Sequence, residues 1–221
     1  QKYWSCRSAA EWKVRAWTPV APSCRSRPRI SPLPGTPVLF YGEEIGMGEN
    51  LAAEGRQAVR TPMQWTADKG GGFSGADAAA LPNPVVEGAF GPKRVNVHDQ
   101  AHDPDSLLAR MRTLIERYRE APELAWGAYE VLDADDPGVL AHISSLPEGA
   151  VLAVHNFSDR AVTAATTVPG LKGGRLLTDV FTGDTVKSAA GGLVRTELEP
   201  YGYRWLRVNT PLDDPDRVTD V

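Results

Sequence analysis

The sequence predicts a mixed fold, in which a loop-rich first half with one short strand and one long helix precedes an antiparallel β-sandwich. Two observations lead to this prediction. Apolar residues recur at helical spacing over residues 107–118. From Trp126 onward, short alternating segments are separated by glycine, proline and aspartate turns at intervals of about ten residues. The content of 42% hydrophobic and 24% charged residues is ordinary for a globular protein.

Length, charge and cysteine content exclude several classes of protein. The 221 residues suggest one or two domains, and a formal net charge of −4 gives no reason to expect nucleic acid as a partner. The sequence has no apolar run long enough to cross a membrane, and its first residues lack the apolar core of a secretory signal. We therefore expect a cytoplasmic protein without membrane association. Cys6 and Cys24 are expected to be free thiols rather than a disulfide framework.

Residues 1–33 are anomalous. The stretch from Arg15 to Pro34 is rich in arginine and proline and shows the period of neither a helix nor a strand. Three interpretations stay open: an off-frame or wrongly started reading of the gene, a divergent basic arm, or a segment that binds a partner. Disordered, solvated charge is the expectation for the arginines, and an anion-binding patch is the alternative.

Residues 38–41, Val-Leu-Phe-Tyr, are the predicted strand of the first half. They follow the turn Pro34-Gly35 and precede a glycine-punctuated loop at 42–48. A short buried strand that ends abruptly in such a loop is typical of a parallel sheet or barrel, where the carboxyl ends of the strands form a site. Residues 66–102 are then predicted to be a long, lid-like loop. The run Gly70-Gly71-Gly72 is not a phosphate loop, because no Gly-Lys-Ser/Thr follows it.

The helix after this loop is predicted to begin with Asp103 as its N-cap and Pro104 as its first residue, and to end before Pro122. Its apolar stripe predicts a helix that faces a core. The stripe comprises Leu107, Leu108, Met111, Leu114, Ile115 and Tyr118.

Seven short strands are predicted in the second half, and their alternation and turns are typical of a small antiparallel sandwich. The segments are 128–132, 139–144, 151–157, 162–168, 175–181, 193–198 and 203–208. The acidic tail at 209–221 is predicted to be disordered.

Three segments resemble a known family. Residues 34–65, which contain Arg-Thr-Pro-Met-Gln-Trp at 60–65, are similar to the trehalose synthases and oligo-1,6-glucosidases of the α-amylase clan. AVHNFSDR at 153–160 and LEPYGYRW at 198–205 resemble the trehalose synthase version of the clan's C-terminal β-domain. The resemblance covers about residues 33–208. It implies that residues 34–125 hold the last strand, loop and helix of a (β/α)8 barrel, incomplete in this chain, and that 126–208 form the C-terminal β-sandwich domain.

The resemblance also implies a chemistry that these residues do not supply. In the family an Asp nucleophile, a Glu acid/base and the second Asp of an Asn-His-Asp motif precede the eighth strand. The 33 residues before that strand contain no Asn-His-Asp, and their one acid is Glu11. Retaining glycoside chemistry needs two carboxyl groups about 5 Å apart. We therefore predict no catalytic residues here, and a chain that is inactive by itself.

Several functions stay open under this resemblance. The first is part of a maltose-to-trehalose isomerase, which transfers glucose within maltose. An α-glucosidase or α-amylase type hydrolase and a non-catalytic carbohydrate-associated β-module are the alternatives. The expected partners are maltose, trehalose or a related α-glucoside, together with a polypeptide that carries the rest of the barrel, or self-association. No cofactor is expected.

Arg60 is the candidate substrate-binding residue, because the family's arginine at this position lies near the acceptor-side sugar and a guanidinium suits paired hydroxyls. A structural ion pair is the alternative. Adjacent Glu43 and Glu44 should point in different directions, and so are not predicted to be a catalytic pair. Trp65 and Phe73 are candidates to stack on sugar rings.

The four histidines, His98, His102, His142 and His155, are not predicted to bind metal. His98 and His102 are four residues apart, but they precede the predicted N-cap, which argues against a helix that would align them. His155 is predicted to be a buried or edge residue of a strand.

Overall fold

The computed structural model describes residues 37–77 and 80–213. The contacts divide the described chain into two units, one comprising Val38–Thr113 and one comprising residues 114–213. The predictions for residues 1–33 and for the end of the acidic tail lie outside the described residues.

The first unit is built from short turns. Its described 3₁₀ segments are Glu43–Ile45, Gly55–Val59, Lys69–Gly72 and Gly88–Phe90, and they are followed by helix α1, Val97–Ala101. Helix α2, Leu107–Arg119, begins in this unit. A small apolar cluster holds the turns together, because side chains far apart in sequence converge on it. Its buried members are Ile45, Met47, Met63 and Leu108.

The predicted strand at residues 38–41 does not form, and its side chains are not buried. Val38 is 88% exposed and Phe40 42% exposed. All strands of the described chain lie in the second unit, so no neighbouring strand supplies the hydrogen bonds that a barrel strand needs. The backbone instead closes locally, with the N–H of Glu43 donating to the carbonyl of Phe40 at 3.1 Å and that of Met47 to Gly42 at 2.8 Å.

The predicted helix forms, but its start differs. Helix α2 begins at Leu107, and its N-cap is Ser106, whose Oγ accepts the N–H of Ala109 at 3.1 Å. Asp103 instead closes the preceding turn by accepting the N–H of Asp105 at 2.9 Å. Pro122 is the first residue of a further short helix, α3, Pro122–Trp126.

Most of the predicted apolar stripe of α2 is buried, as expected of a helix that faces a core. Ile115 is 40% exposed, and Tyr118 is half-buried. The buried members are Leu107, Leu108, Met111 and Leu114.

The second unit is rich in antiparallel strands, as predicted. Its strands are β1 Ala128–Leu132, β2 Val139–Leu146, β3 Gly149–Asn156, β4 Val162–Thr167, β5 Leu176–Asp179, β6 Thr185–Lys187, β7 Leu193–Leu198 and β8 Tyr203–Val208. Strand β6 has only three residues and was not predicted. One sheet has the order β1-β2-β3-β8-β5-β6, and β4 pairs with β7 in a second sheet.

The two sheets share one apolar core. Strand β3 lies in the middle of the larger sheet and is buried along its whole length. Alternate residues of β3 and β4 enter this core, among them Leu152, Val154, Val162 and Ala164. Helix α3 packs on β2 and β3, where Leu124 is buried.

Candidate functional site

A cleft of about 550 Å³ lies within the first unit. Its walls combine aromatic, apolar and hydrogen-bonding side chains, as in sites that bind small organic ligands. It brings together residues of the loop after the predicted strand, of the Arg-Thr-Pro-Met-Gln-Trp segment and of the long loop. The lining residues are Tyr41, Glu44, Arg60, Thr61, Pro62, Met63, Trp65, Phe73, Leu81, Pro82 and Asn83.

Residues 60–65 are held in place by apolar packing and by hydrogen bonds to other parts of the first unit. Met63 is part of the apolar cluster of the unit. The hydroxyl of Tyr41 donates to the carbonyl of Thr61 at 2.9 Å. The side-chain amide of Gln64, fully buried, donates to the carbonyls of Phe90 at 3.0 Å and Val95 at 2.5 Å. Because these bonds are made by buried or backbone groups, the segment presents a preorganised edge to the cleft.

A glycine turn closes the wall beyond Trp65. The N–H groups of Trp65 and Thr66 both donate to the carbonyl of Gly71, at 2.7 and 3.0 Å. Gly71 has φ 66°, and an added Cβ would lie 3.3 Å from the Cα of Gln64. Only glycine combines this left-handed backbone with such a close approach. The turn directs the chain so that Phe73 joins Trp65 at the cleft.

Arg60 is the exposed cation of the cleft. Asn83 fixes its backbone, because the Nδ2 of Asn83 donates to the carbonyl of Arg60 at 2.9 Å and to the Oε1 of Gln57 at 2.8 Å. Within the described part of the chain, no carboxylate forms an ion pair with the guanidinium of Arg60. Among the described residues the structural ion pair considered as the alternative is not observed, and the role of Arg60 as a substrate-binding residue stays a prediction.

The aromatic residues give the cleft its apolar faces. Tyr41, Trp65 and Phe73 are 45%, 48% and 56% exposed. Large exposed aromatics beside a guanidinium and an amide suit a ligand that has an apolar ring face and a hydroxylated edge, as a sugar does. Among the lining residues Glu44 is the one carboxylate. A retaining glycosidase needs two carboxyl groups, one on each side of the scissile bond, and the described lining residues of this cleft supply one.

The structure brings four of the sequence-derived candidates together: Arg60, Trp65, Phe73 and Glu44. Glu43 does not line the cleft, because its carboxylate accepts the N–H of Phe40 at 3.2 Å. The two glutamates thus separate, as predicted. Asn83 and Tyr41 were missed. Asn83 could have been found as a polar residue between two prolines in a long loop. Tyr41 was missed because it was assigned to the predicted strand.

The histidines form two groups. His98 lies in α1 and His102 follows it at the C-cap, so the expectation that no helix aligns them is wrong. In the second unit His142 and His155 are buried in β2 and β3, with ring centroids 6.1 Å apart. Burial lowers the pKa of His142 to about 4. The described residues contain no cluster of three or more side chains able to hold a metal ion.

Comparison with known proteins relates both units to one enzyme clan. The family model for the α-amylase catalytic domain matches residues 28–127. The model for the C-terminal domain of sucrose hydrolase-like proteins matches residues 149–207. A trehalose synthase from Pimelobacter sp. (strain R48) is 33% identical over 184 residues, which is 81% of this chain. This chain is related to the trehalose synthases of the α-amylase clan.

Other relatives agree with this assignment. A trehalose synthase/amylase from Mycobacterium tuberculosis is 42% identical over 130 residues, which is 57% of this chain and 22% of that protein. The crystal structure of trehalose-6-phosphate hydrolase from Bacillus licheniformis matches with a TM-score of 0.61 and 21% identity over 81% of this chain, a likeness of fold alone. The chain spans only part of the proteins it matches, for example 32% of the Pimelobacter enzyme and 37% of the Bacillus structure.

The relatives of this chain are enzymes that act on α-glucosides. They include an oligo-1,6-glucosidase from Halalkalibacterium halodurans that is 28% identical over 159 residues. None of the helices in residues 37–77 and 80–213 is long and apolar enough to cross a membrane.

Proposed function

We propose that this chain supplies one saccharide-binding wall of an enzyme that acts on α-glucosides, most like a maltose-to-trehalose isomerase, and that Arg60 is its substrate-binding residue. The observation that carries the proposal is the cleft in which Arg60, Trp65 and Phe73 converge. The guanidinium offers a fork of donors to two neighbouring hydroxyls, and the aromatic side chains offer faces to the apolar side of a sugar ring.

The 221 residues bind but do not catalyse in this proposal. The cleft has a single carboxylate, Glu44, whereas retaining chemistry needs a nucleophile and an acid/base on opposite sides of the scissile bond. A hydrolase would use the same wall, since isomerase and hydrolase differ in whether water reaches the glucosyl-enzyme. A non-catalytic carbohydrate-associated module is the second candidate, and the single carboxylate favours it.

The remaining part of the proposal concerns the apolar residues before the cleft. Val38, Leu39 and Phe40 are all exposed, and apolar groups of this kind lead to association. We propose that residues 34–125 complete a (β/α)8 barrel when the polypeptide that carries its other strands is present. The second unit then serves as the β-sandwich that accompanies such barrels. Without that polypeptide, self-association is the expected outcome.

Calorimetric titration with maltose and trehalose tests the binding role. We expect weak binding, with a dissociation constant on the order of 1 mM, because the cleft is open and small. Arg60→Gln should weaken it about tenfold, the effect of losing hydrogen bonds to a charged donor. Arg56→Gln is the matched control, since Arg56 lies in the 3₁₀ segment that ends directly before Arg60 and does not line the cleft. Equal affinities for the two variants would contradict the assignment of Arg60.

An activity assay tests the other half of the proposal. Incubation of the purified chain with maltose should yield neither trehalose nor additional glucose, as measured by chromatography. Turnover that persists through stringent purification would show that carboxylates of this chain act as catalysts, and would refute the proposed division between binding and chemistry.

A further inference from the structure

Helix α1 places two histidine rings side by side on the surface of the first unit. His98 and His102 are four residues apart, and the helical geometry continues through the C-cap, where His102 has φ −99° and ψ −2°. Their ring centroids are 4.7 Å apart and the ring planes are tilted by 41°. Both side chains are exposed, so the pair is accessible from solvent.

The hydrogen bonds of the two rings fix which nitrogen of each is free. The Nδ1 of His102 lies 2.7 Å from the carbonyl oxygen of His98. The Nδ1 of His98 lies 3.3 Å from the Oδ1 of Asp99. A carbonyl and a carboxylate can only accept, so Nδ1 is the donor in both rings. In the neutral imidazoles the lone pair is therefore on Nε2 of each ring.

Asp99 is itself held in place. Its Oδ2 accepts from the Nδ2 of Asn96 at 2.7 Å, and its N–H donates to the Oδ1 of Asn96 at 2.8 Å. Asn96 is fully buried. A carboxylate that accepts the Nδ1–H of a histidine is the usual support of a histidine that ligates a metal through Nε2.

We propose that His98 and His102 form a two-histidine site for a divalent transition-metal ion of the Zn²⁺ or Ni²⁺ type, with water completing the coordination. Imidazole nitrogen suits these ions, whereas Mg²⁺ and Ca²⁺ prefer oxygen. Binding through both Nε2 atoms requires each to come to about 2.0–2.1 Å from a common ion, and the two rings, with centroids 4.7 Å apart, are already adjacent. The site requires only these two side chains.

Helix α1 is also hydrogen-bonded to the segment that contains Trp65, a residue that lines the cleft. The N–H of His98 donates to the carbonyl of Trp65 at 2.9 Å, and that of Val97 donates to Gln64. One backbone hydrogen bond therefore joins His98, a proposed metal ligand, to Trp65, whose side chain lines the cleft.

The test is a titration of the full chain with ZnCl₂ and NiCl₂ at pH 7.5, produced without a histidine tag. Cys6 and Cys24 are replaced by serine, because free thiolates bind Zn²⁺ independently. We expect one equivalent to bind, and either His98→Gln or His102→Gln to weaken the affinity at least tenfold. Asp99→Asn, which removes the supporting carboxylate, should weaken it roughly tenfold. Asp105→Asn, an exposed acid in the next turn, is the control and should have no effect.

Two results would overturn the proposal. One is binding that survives both histidine substitutions, which would place the ion elsewhere. The other is equal binding of Mg²⁺, which would show that surface carboxylates are the ligands.

Discussion

Acidification should destabilise the second unit through His142. This side chain is fully buried in β2, and neither ring nitrogen forms a hydrogen bond with a residue of the described chain. Tyr129 of β1 lies on one side, with ring centroids 4.8 Å apart, and His155 of β3 on the other. Burial disfavours the charged imidazolium, which is why the pKa of His142 falls from 6.5 to about 4.

The direction of the effect follows from the two pKa values. The unfolded chain takes up a proton at His142 near pH 6.5, whereas the folded chain does so only near pH 4. Between these values the unfolded state binds more protons, so the free energy of unfolding decreases as the pH falls. At pH 5 the loss should be about 2 kcal/mol relative to pH 7.5, and it should approach a limit of roughly 3 kcal/mol below pH 4.

Urea unfolding at pH 7.5 and pH 5.0, followed by far-ultraviolet circular dichroism, measures this loss. His142→Phe keeps a flat ring between Tyr129 and His155 and removes the titrating group. The difference in pH dependence between the two proteins isolates His142 from the carboxylates and from His155. The reasoning is refuted if the variant loses as much stability as the wild type, or if the wild type becomes more stable on acidification.

Two further predictions concern the helix start and the limits of the second unit. Ser106→Ala should destabilise the first unit by about 1 kcal/mol, measured by urea unfolding, because it removes the N-cap acceptor. Asp103→Ala should have a much smaller effect. A larger loss of stability in Asp103→Ala than in Ser106→Ala would indicate that Asp103 is the cap. Limited proteolysis should leave a stable core that begins at or before Pro122, because Glu123 and Leu124 are buried and Glu123 pairs with Arg207 at 3.0 Å. Cleavage spread evenly through 128–208 would contradict the independence of this unit.

The strands of the second half were predictable because the pattern of burial is local. In β4, Val162, Ala164 and Thr166 are buried while the residues between them are more exposed, and the sequence alternates accordingly. Strand β6 escaped because its three residues, Thr185–Lys187, are too few to show a period. The pairing of β3 with β8 joins residues about fifty positions apart and has no local signal.

The errors in the first half have a common physical cause. Residues 38–41 have the composition of a buried strand, but a strand is stabilised by its neighbours, and its own sequence does not supply them. Asp103-Pro104 has the composition of a helix start. Ser106 is the cap instead. Its hydroxyl also donates to the carbonyl of Gln100 at 2.7 Å, a contact that the fold of the preceding loop brings within reach.

The cleft residues that lie in one recognisable segment could be predicted from the sequence, whereas the contacts that the fold creates between distant segments could not. Arg60 and Trp65 lie in a six-residue motif that is recognisable by itself, and both line the cleft. Asn83 reaches Arg60 from 23 positions away through a hydrogen bond. No pattern in the loop specifies that partner, because many polar residues there could have made the bond.

The construction of the cleft is compatible with the proposal that this chain binds a saccharide and does not catalyse. Its walls depend on bonds made inside the first unit: Tyr41 to Thr61, Gln64 to Phe90 and Val95, and Trp65 to Gly71. None of these bonds requires a neighbouring barrel strand, so the wall holds its shape although residues 38–41 remain unpaired. A glycosidic bond, by contrast, is broken by two carboxylates that must face each other across the substrate, and Glu44 has no such counterpart among the lining residues. In the proposed division of roles, local hydrogen bonds shape the wall that holds a sugar, whereas the chemistry needs groups brought together by a larger fold.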